Sequence, residues 1–136
     1  MIEVNNRVKA RVKTELIITT VKKFLKYYRR RESEVSIAIV GDAEIRRINR
    51  ATLGSDAVTD VIAFPGEADY LGEIIIDLAE TKRQSKTYGH PVEAELAFVL
   101  IHGLLHLSGY DDKTVKGKEK MLKLGQKLLN IFYREK

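Results

Sequence analysis

At 136 residues and 15.5 kDa the chain has room for one hydrophobic core, and its 44% apolar and 32% charged content excludes intrinsic disorder. The absence of cysteine excludes disulfides, cysteine-ligated zinc, iron–sulfur clusters and thiol catalysis. No uninterrupted apolar run approaches the ~18 residues of a membrane span, and the start MIEVNNRVKAR lacks the apolar stretch of a secretory signal. The expectation is a single domain over residues 1–136, soluble and cytoplasmic, with no membrane partner. The net charge of +5 is unevenly spread: residues 1–31 carry ten Lys/Arg and two Glu, residues 113–136 carry eight and two, and the stretch between them carries six and fifteen. Basic ends of this kind attract polyanions through counterion release, so nucleic acid is the first partner to consider. The alternative is that these lysines and arginines only solvate the outer faces of terminal helices.

In chain order, Ile17, Val21, Phe24 and Tyr28 recur at helical spacing and predict a helix from Thr14 to Tyr28. Glu34 to Val40 alternates as a strand. Gly41 ends it, and Asp42 is a candidate N-cap for a short helix through Ile45, Ile48 and Asn49. Gly54–Asp56 reads as a turn, followed by strands over Val58–Phe64 and Glu73–Leu78, split by the loop Pro65–Gly72. Glu80–Tyr88 reads as a polar surface helix closed by Gly89. Pro91 suits the first turn of the next helix, Val92–Leu107, which is apolar nearly all round and therefore expected to be buried. Gly109 stops it, and Met121, Leu124, Leu128, Ile131 and Phe132 mark a last amphipathic helix with a basic outer face. The order α-β-α-β-β-α-α-α predicts an α+β domain, a small mixed sheet packed with helices, the central apolar one carrying two histidines.

Those two, His102 and His106, stand four apart, so both imidazoles project from one helix face at the spacing that offers two nitrogens to one metal ion. Gly109 lets the chain turn back and brings Asp111 or Asp112 toward that face. Two histidines and a carboxylate leave a position open for water, the layout of a catalytic site. A pair of hydrogen-bonded core histidines is the alternative, but between Glu95 and Ser108 the helix has no other polar side chain, and imidazoles buried without partners are costly. The zincin pattern H-E-x-x-H puts its general base directly after the first histidine; here that residue is Gly103, which speaks against a peptidase. A two-histidine, one-carboxylate set also occurs in non-haem iron oxygenases, usually on strands of a larger barrel.

The segment running from His102 to Asp112, HGLLHLSGYDD, resembles the signature H-G-x-L-H-L-x-G-Y-D-H of the YbeY-type endoribonucleases, single-domain metalloproteins of bacterial rRNA maturation and ribosome quality control. It departs only at the last position. TDVIAFP from Thr59 to Pro65 resembles a second block of that family, T-D-V-L-S-F-P, and LGEIII from Leu71 to Ile76 resembles a third, L-G-D-I-x-I. The blocks stand in the family's order from about Val35 to Asp112.

The resemblance implies an α+β fold and one zinc ion held by His102, His106 and Asp112, with Asp in place of the family's third His. Aspartate is a legitimate zinc ligand, but it makes the metal a weaker Lewis acid and lets Mn²⁺ or Fe²⁺ compete. Asp111 becomes the ligand if the turn is shifted. The family also places an arginine before T-D-V where this chain has Leu53; Arg50 and Arg47 lie one turn upstream. No catalytic side chain is assigned, Arg50 and Asp111 being the candidates, and loss of the arginine bears on rate more than on RNA binding.

The function implied is hydrolysis of single-stranded rRNA, with the ribosome or a ribosomal subunit as partner and Tyr110, Asp60 and Thr59 shaping the cleft. Arg7, Lys9, Arg11, Lys13 and Arg29–Arg31 would hold backbone phosphates. No RNP-type aromatic motif indicates base-specific reading. The rival is a non-catalytic ribosome-assembly factor with a structural metal; such a site needs a fourth ligand, and His90, the one spare histidine, stands at a helix start. Oligomeric state is not readable.

Overall fold

The computed structural model of the chain describes residues 1–133; residues 134–136, the end of the basic C-terminal segment, lie outside the described residues. The elements run β1 (Ile2–Asn6), α1 (Thr14–Tyr27), β2 (Glu34–Val40), α2 (Asp42–Leu53), β3 (Val61–Pro65), β4 (Tyr70–Asp77), α3 (Leu78–Tyr88), α4 (Val92–Leu107) and α5 (Val115–Tyr133). The domain is α+β, as the element pattern predicts.

Strand β1 is an addition to the sequence reading. It holds only two apolar residues in alternation, Ile2 and Val4, both half-buried, too short a signal to separate from the basic stretch that follows. Its place is fixed by β2, with which it pairs in parallel, Ile2 opposite Val35 and Val4 opposite Ile37. The sheet order is β1-β2-β4-β3, with β2 and β4 parallel and β3 antiparallel to β4. The boundaries of the two later strands also move. Val58–Asp60 lie outside β3, while β4 begins three residues early at Tyr70 and gives up Leu78 to the next helix.

Alternation on the inner strands sorts the core onto two faces. Val35, Ile37 and Ile39 of β2 with Ile74 and Ile76 of β4 face the major core, which Ile17, Val21 and Phe24 of α1 and the apolar length of α4 complete. Ala38, Val40 and Ile75 point the other way and pack with Ile45 of α2 and Ile62 of β3. Helix α4 buries Leu96, Val99, Leu100, Ile101, Leu104 and Leu105, each worth about 2–5 kcal/mol on truncation to alanine. A Cβ at Gly103 would come 2.9 Å from Ile74 Cγ2 and 3.1 Å from Val61 Cγ2, so the missing side chain sets how closely the helix lies on the sheet. At Gly72, φ is +146° and a side chain would strike the Phe64 carbonyl and Leu107; this position requires glycine.

The helix ends differ in detail from expectation. Asp42 is the first helical residue of α2, after Gly41 as cap, and its carboxylate is held by Arg83 at 2.7 and 3.1 Å. Pro91 is the cap of α4 rather than its first residue. Helix α3 starts at Leu78 because Asp77 Oδ1 accepts from the Ala79 and Glu80 amides at 3.0 and 3.4 Å, satisfying two orphan donors. Asp77 Oδ2 is fully buried and has no donor among the described residues. Burial, followed by the neighbouring Asp42 carboxylate, pushes the Asp77 carboxyl up to about 7, while Arg83 holds Asp42 below the usual range. A proton held on the Asp77 carboxyl has the Asp42 carboxylate as its neighbouring acceptor.

The native state therefore keeps a proton that the unfolded carboxyl releases near its ordinary 3.8. Its contribution is complete below that pH and is lost as pH rises toward 7. Unfolding free energies from urea titrations should show wild type declining relative to Asp77→Asn across that window, by up to about 1.4 kcal/mol per pH unit, since asparagine keeps the cap and supplies a permanent donor. Parallel curves for the two proteins would refute the shared proton.

Candidate metal centre

One stripe of α4 escapes full burial: Ala94, Phe98, His102 and His106 are half-buried, at successive spacings of four, while the rest of the helix from Glu95 to Leu107 is buried. The two histidines therefore reach solvent from a helix otherwise enclosed, with side chains 16% and 27% exposed. Their Nε2 atoms stand 3.2 Å apart.

Past Leu107 the chain reverses. The Gly109 amide donates to the His106 carbonyl and the Tyr110 amide to the Leu105 carbonyl, both at 3.1 Å, and Gly109 takes a φ of +103° that other residues resist. Asp111 Oδ1 accepts from the Lys113 amide at 3.1 Å, and Thr114 Oγ1 accepts from the Gly117 amide at 2.9 Å, capping α5. A Cβ at Gly117 would come 2.9 Å from the Asp111 carbonyl, so the loop rests on a glycine surface of α5. Anchored at both ends, the loop places Asp112 Oδ2 3.8 Å from His106 Nε2 and 4.0 Å from His102 Nε2.

His102, His106 and Asp112 thus form a group that can hold a metal ion. Ligand atoms in tetrahedral array around zinc at ~2.0–2.2 Å lie about 3.3–3.6 Å apart. The histidine pair already has this spacing within a tenth or two of an ångström, and Asp112, half-exposed on its loop, needs to close by about half an ångström. Burial, then the adjacent His106 ring, lowers the pKa of His102, which keeps its imidazole neutral and its lone pair available, the state metal binding requires. The donor set fits a divalent ion such as zinc. Asp111, the alternative third ligand, is turned into the loop's own hydrogen bonding and stands outside the group.

Other candidates are placed differently. Arg50 bonds Asp56 Oδ1 at 2.5 Å, Arg47 lies 3.9 Å from Glu44, and Leu53 is 63% exposed at the end of α2; the arginines of α2 are engaged within their own helix and the turn after it. Tyr110 packs against the core beside Tyr28. Asp60 is close enough for its charge to act on His102 and on Glu95. Arg7 is paired with Glu44, and Lys13 with Glu93 at 2.9 Å, whereas Arg29–Arg31 are exposed. His90 is an exposed residue between α3 and α4. The residue that sequence reasoning passes over is Lys118, on the first turn of α5, exposed and near enough for its charge to act on His102. Only the reversal after Gly109 brings it there. The zincin base position is closed for a structural reason too, since Gly103 faces the sheet.

Fold and site together define a small α+β domain carrying an open ligand group of two histidines and a carboxylate on its central helix. A model of the family described as Endoribonuclease YbeY matches residues 3–133. The Endoribonuclease YbeY of Lacticaseibacillus casei is 40% identical over 112 residues, covering 74% of this chain and 74% of the relative. That of Moorella thermoacetica is 42% identical over 104 residues, covering 66% and 67%. A solution structure of TM1509 from Thermotoga maritima superposes with a TM-score of 0.69 at 27% identity, over 97% of this chain and 89% of that one. The chain belongs to the YbeY endoribonuclease family. Among the described residues no helix is long and apolar enough to cross a membrane.

Protein reconstituted with zinc should retain close to one equivalent by mass spectrometry, and His102→Ala and Asp112→Ala should each weaken zinc affinity by about tenfold or more. Full retention by Asp112→Ala would move the third ligand to Asp111.

Proposed function

We propose that this protein is a metal-dependent endoribonuclease that cuts single-stranded rRNA in rRNA maturation and ribosome quality control, in the cytoplasm. The observation that carries the reading is the open group His102–His106–Asp112 beside an exposed lysine, in a chain of the YbeY endoribonuclease family. When bound there, zinc supplies Lewis-acid polarisation of a phosphoryl oxygen and brings the pKa of water near neutrality. Mn²⁺ or Fe²⁺ can serve in its place, because a carboxylate is a harder ligand than imidazole.

The chain's own residues do the rest. The two imidazoles and the Asp112 carboxylate would hold the ion at a half-open face of the domain, where a phosphodiester backbone can reach it. Lys118 supplies a positive charge for the phosphate flanking the cut, and the exposed lysines of α5 with Arg29–Arg31 provide further sites for the strand's charge. Hydrolysis joins the water oxygen to phosphorus and breaks the bond to the leaving ribose oxygen, which takes up a proton. The cleft is open to water at His106, so solvent can serve as the donor.

Zinc-loaded protein should cut a single-stranded rRNA fragment at neutral pH, and His102→Ala should lose at least about a hundredfold in rate, in the range of removing one strong electrostatic stabiliser. RNA left intact by the loaded wild type would end the nuclease reading. Lys118→Ala should weaken binding of all sequences alike and reduce the salt dependence, log K against log[salt], by about 0.7. An unchanged slope would remove Lys118 from the RNA path.

One observation favours a second reading, a ribosome-assembly factor that binds RNA without cutting it. Arg50 is tied to Asp56 and the end of α2 presents Leu53, so α2 offers the scissile phosphate no free guanidinium. Tight binding that survives His102→Ala, with no cleavage by wild type, would support this reading.

A further inference from the structure

On the same stripe of α4, toward its N-terminus, lies a cavity of about 450 Å³ that the metal group does not use. Its walls come from α3 (Gln84, Tyr88), the α3–α4 turn (His90), α4 (Glu95, Phe98) and α5 (Gln126), with Asp60 at the side toward the histidines. The volume lies within the range of small-molecule sites. Glu95 is 4% exposed, lines this cavity, and takes no hydrogen bond from a described residue; burial, then the nearby Asp60, raises its pKa, with His90 opposing. A carboxyl that lines a cavity and takes no hydrogen bond from the protein is open to a donor from outside.

Two further groups of the lining add acceptors. Gln84 Nε2 is committed to the Glu80 carboxylate at 3.4 Å, which leaves its carbonyl oxygen as the free end. Asp60 adds a further acceptor. Glu95, Asp60 and the Gln84 carbonyl are acceptors in a lining whose donors are the His90 ring, the Tyr88 hydroxyl and the Gln126 amide, and the rings of Phe98 and Tyr88, the latter 65% exposed, add flat apolar faces. A flat ring bearing adjacent N–H groups satisfies both features. Guanine has this edge: N1–H and the 2-amino group lie side by side and meet one carboxylate with two parallel hydrogen bonds. Uracil offers one such donor and adenine one amino group. Along α4, Glu95 and His102 are seven residues, roughly 10 Å, apart, close enough for nearby nucleotides of one strand to occupy both places.

We infer that this cavity is a base-reading subsite for a guanine of the RNA strand, with Glu95 accepting from its Watson–Crick edge and Tyr88 stacking on its face. The inference rests on the RNA-cleaving reading for its substrate class and adds a specificity to it.

Fluorescence anisotropy on zinc-loaded protein tests it, with cleavage-resistant phosphorothioate oligonucleotides of uridine, alone or with one central guanosine. Wild type should bind the guanosine strand about tenfold more tightly, and inosine, which lacks the 2-amino group, should lose several-fold of that gain. In Glu95→Gln the ratio between the two strands should fall toward one. Equal affinity for the guanosine and uridine strands, or a ratio unchanged in Glu95→Gln, would overturn the subsite. Inosine needs no protein variant, so the test survives a failure of Glu95→Gln to fold: inosine equal to guanosine would equally overturn the assignment. Guanosine monophosphate should compete only weakly; competition as tight as the oligonucleotide's would make this a free-nucleotide site and overturn the strand reading. Guanosine preference without cleavage of ordinary RNA would leave the subsite standing and remove the nuclease, whereas cleavage without preference would do the reverse.

Discussion

Helix α4 can lie where it does because position 103 carries no side chain. With Ile74 and Val61 directly beneath, any larger residue would lift the helix from the sheet and misalign its buried leucines and isoleucines. The same contact orients the helix. With Gly103 turned inward, His102 and His106 fall together on the flank of the helix beside it, which is half-open. One packing contact thus fixes both the centre of the core and the direction in which the ligands point. Gly72 makes a second close approach at the end of the helix, against Leu107, and holds fixed the point from which the Asp112 loop departs.

A polar stripe on a mostly buried helix carries a cost that needs an offset. For the histidines it is partial exposure, mutual contact at 3.2 Å and a carboxylate within 4.0 Å. Two hydrogen-bonded core histidines would have no need of Asp112, nor of the anchored reversal that brings it over. The arrangement of three donors around a common point, at separations close to those of a tetrahedral ion, distinguishes a ligand group from a satisfied core pair.

Charge is arranged at two levels. The excess of lysine and arginine at the chain ends becomes local once the chain is folded, because α5 starts beside the histidines and presents Lys118 there. Several other cations are neutralised inside the fold: Arg7 by Glu44, Lys13 by Glu93, Arg50 by Asp56 and Arg83 by Asp42. Counting charges along the sequence therefore overstates the cationic surface of the N-terminal stretch. Exposed pairs of this sort add little stability, but they decide which lysines and arginines are free for phosphate.

The sequence by itself determined the fold class, every helix to within a few residues apart from the earlier start of α5, and the pair His102–His106, because helical periodicity and a four-residue spacing are local properties of the chain. From spacing the carboxylate after Gly109 was legible as one of two, Asp111 or Asp112, and the family resemblance favoured Asp112; which of them approaches the histidines depends on how the loop is anchored to α4 and to α5. Tertiary structure alone also supplied β1, whose two apolar residues acquire meaning only beside β2, and the neighbouring carboxyls of Asp42 and Asp77, thirty-five residues apart in the chain. Arg50, a candidate for the phosphate, turned instead to Asp56, and Lys118, which no local pattern marks, stands beside the histidines. Spacing along a helix fixes which side chains share a face, whereas the approach of one segment to another is fixed by packing, which no window of sequence contains.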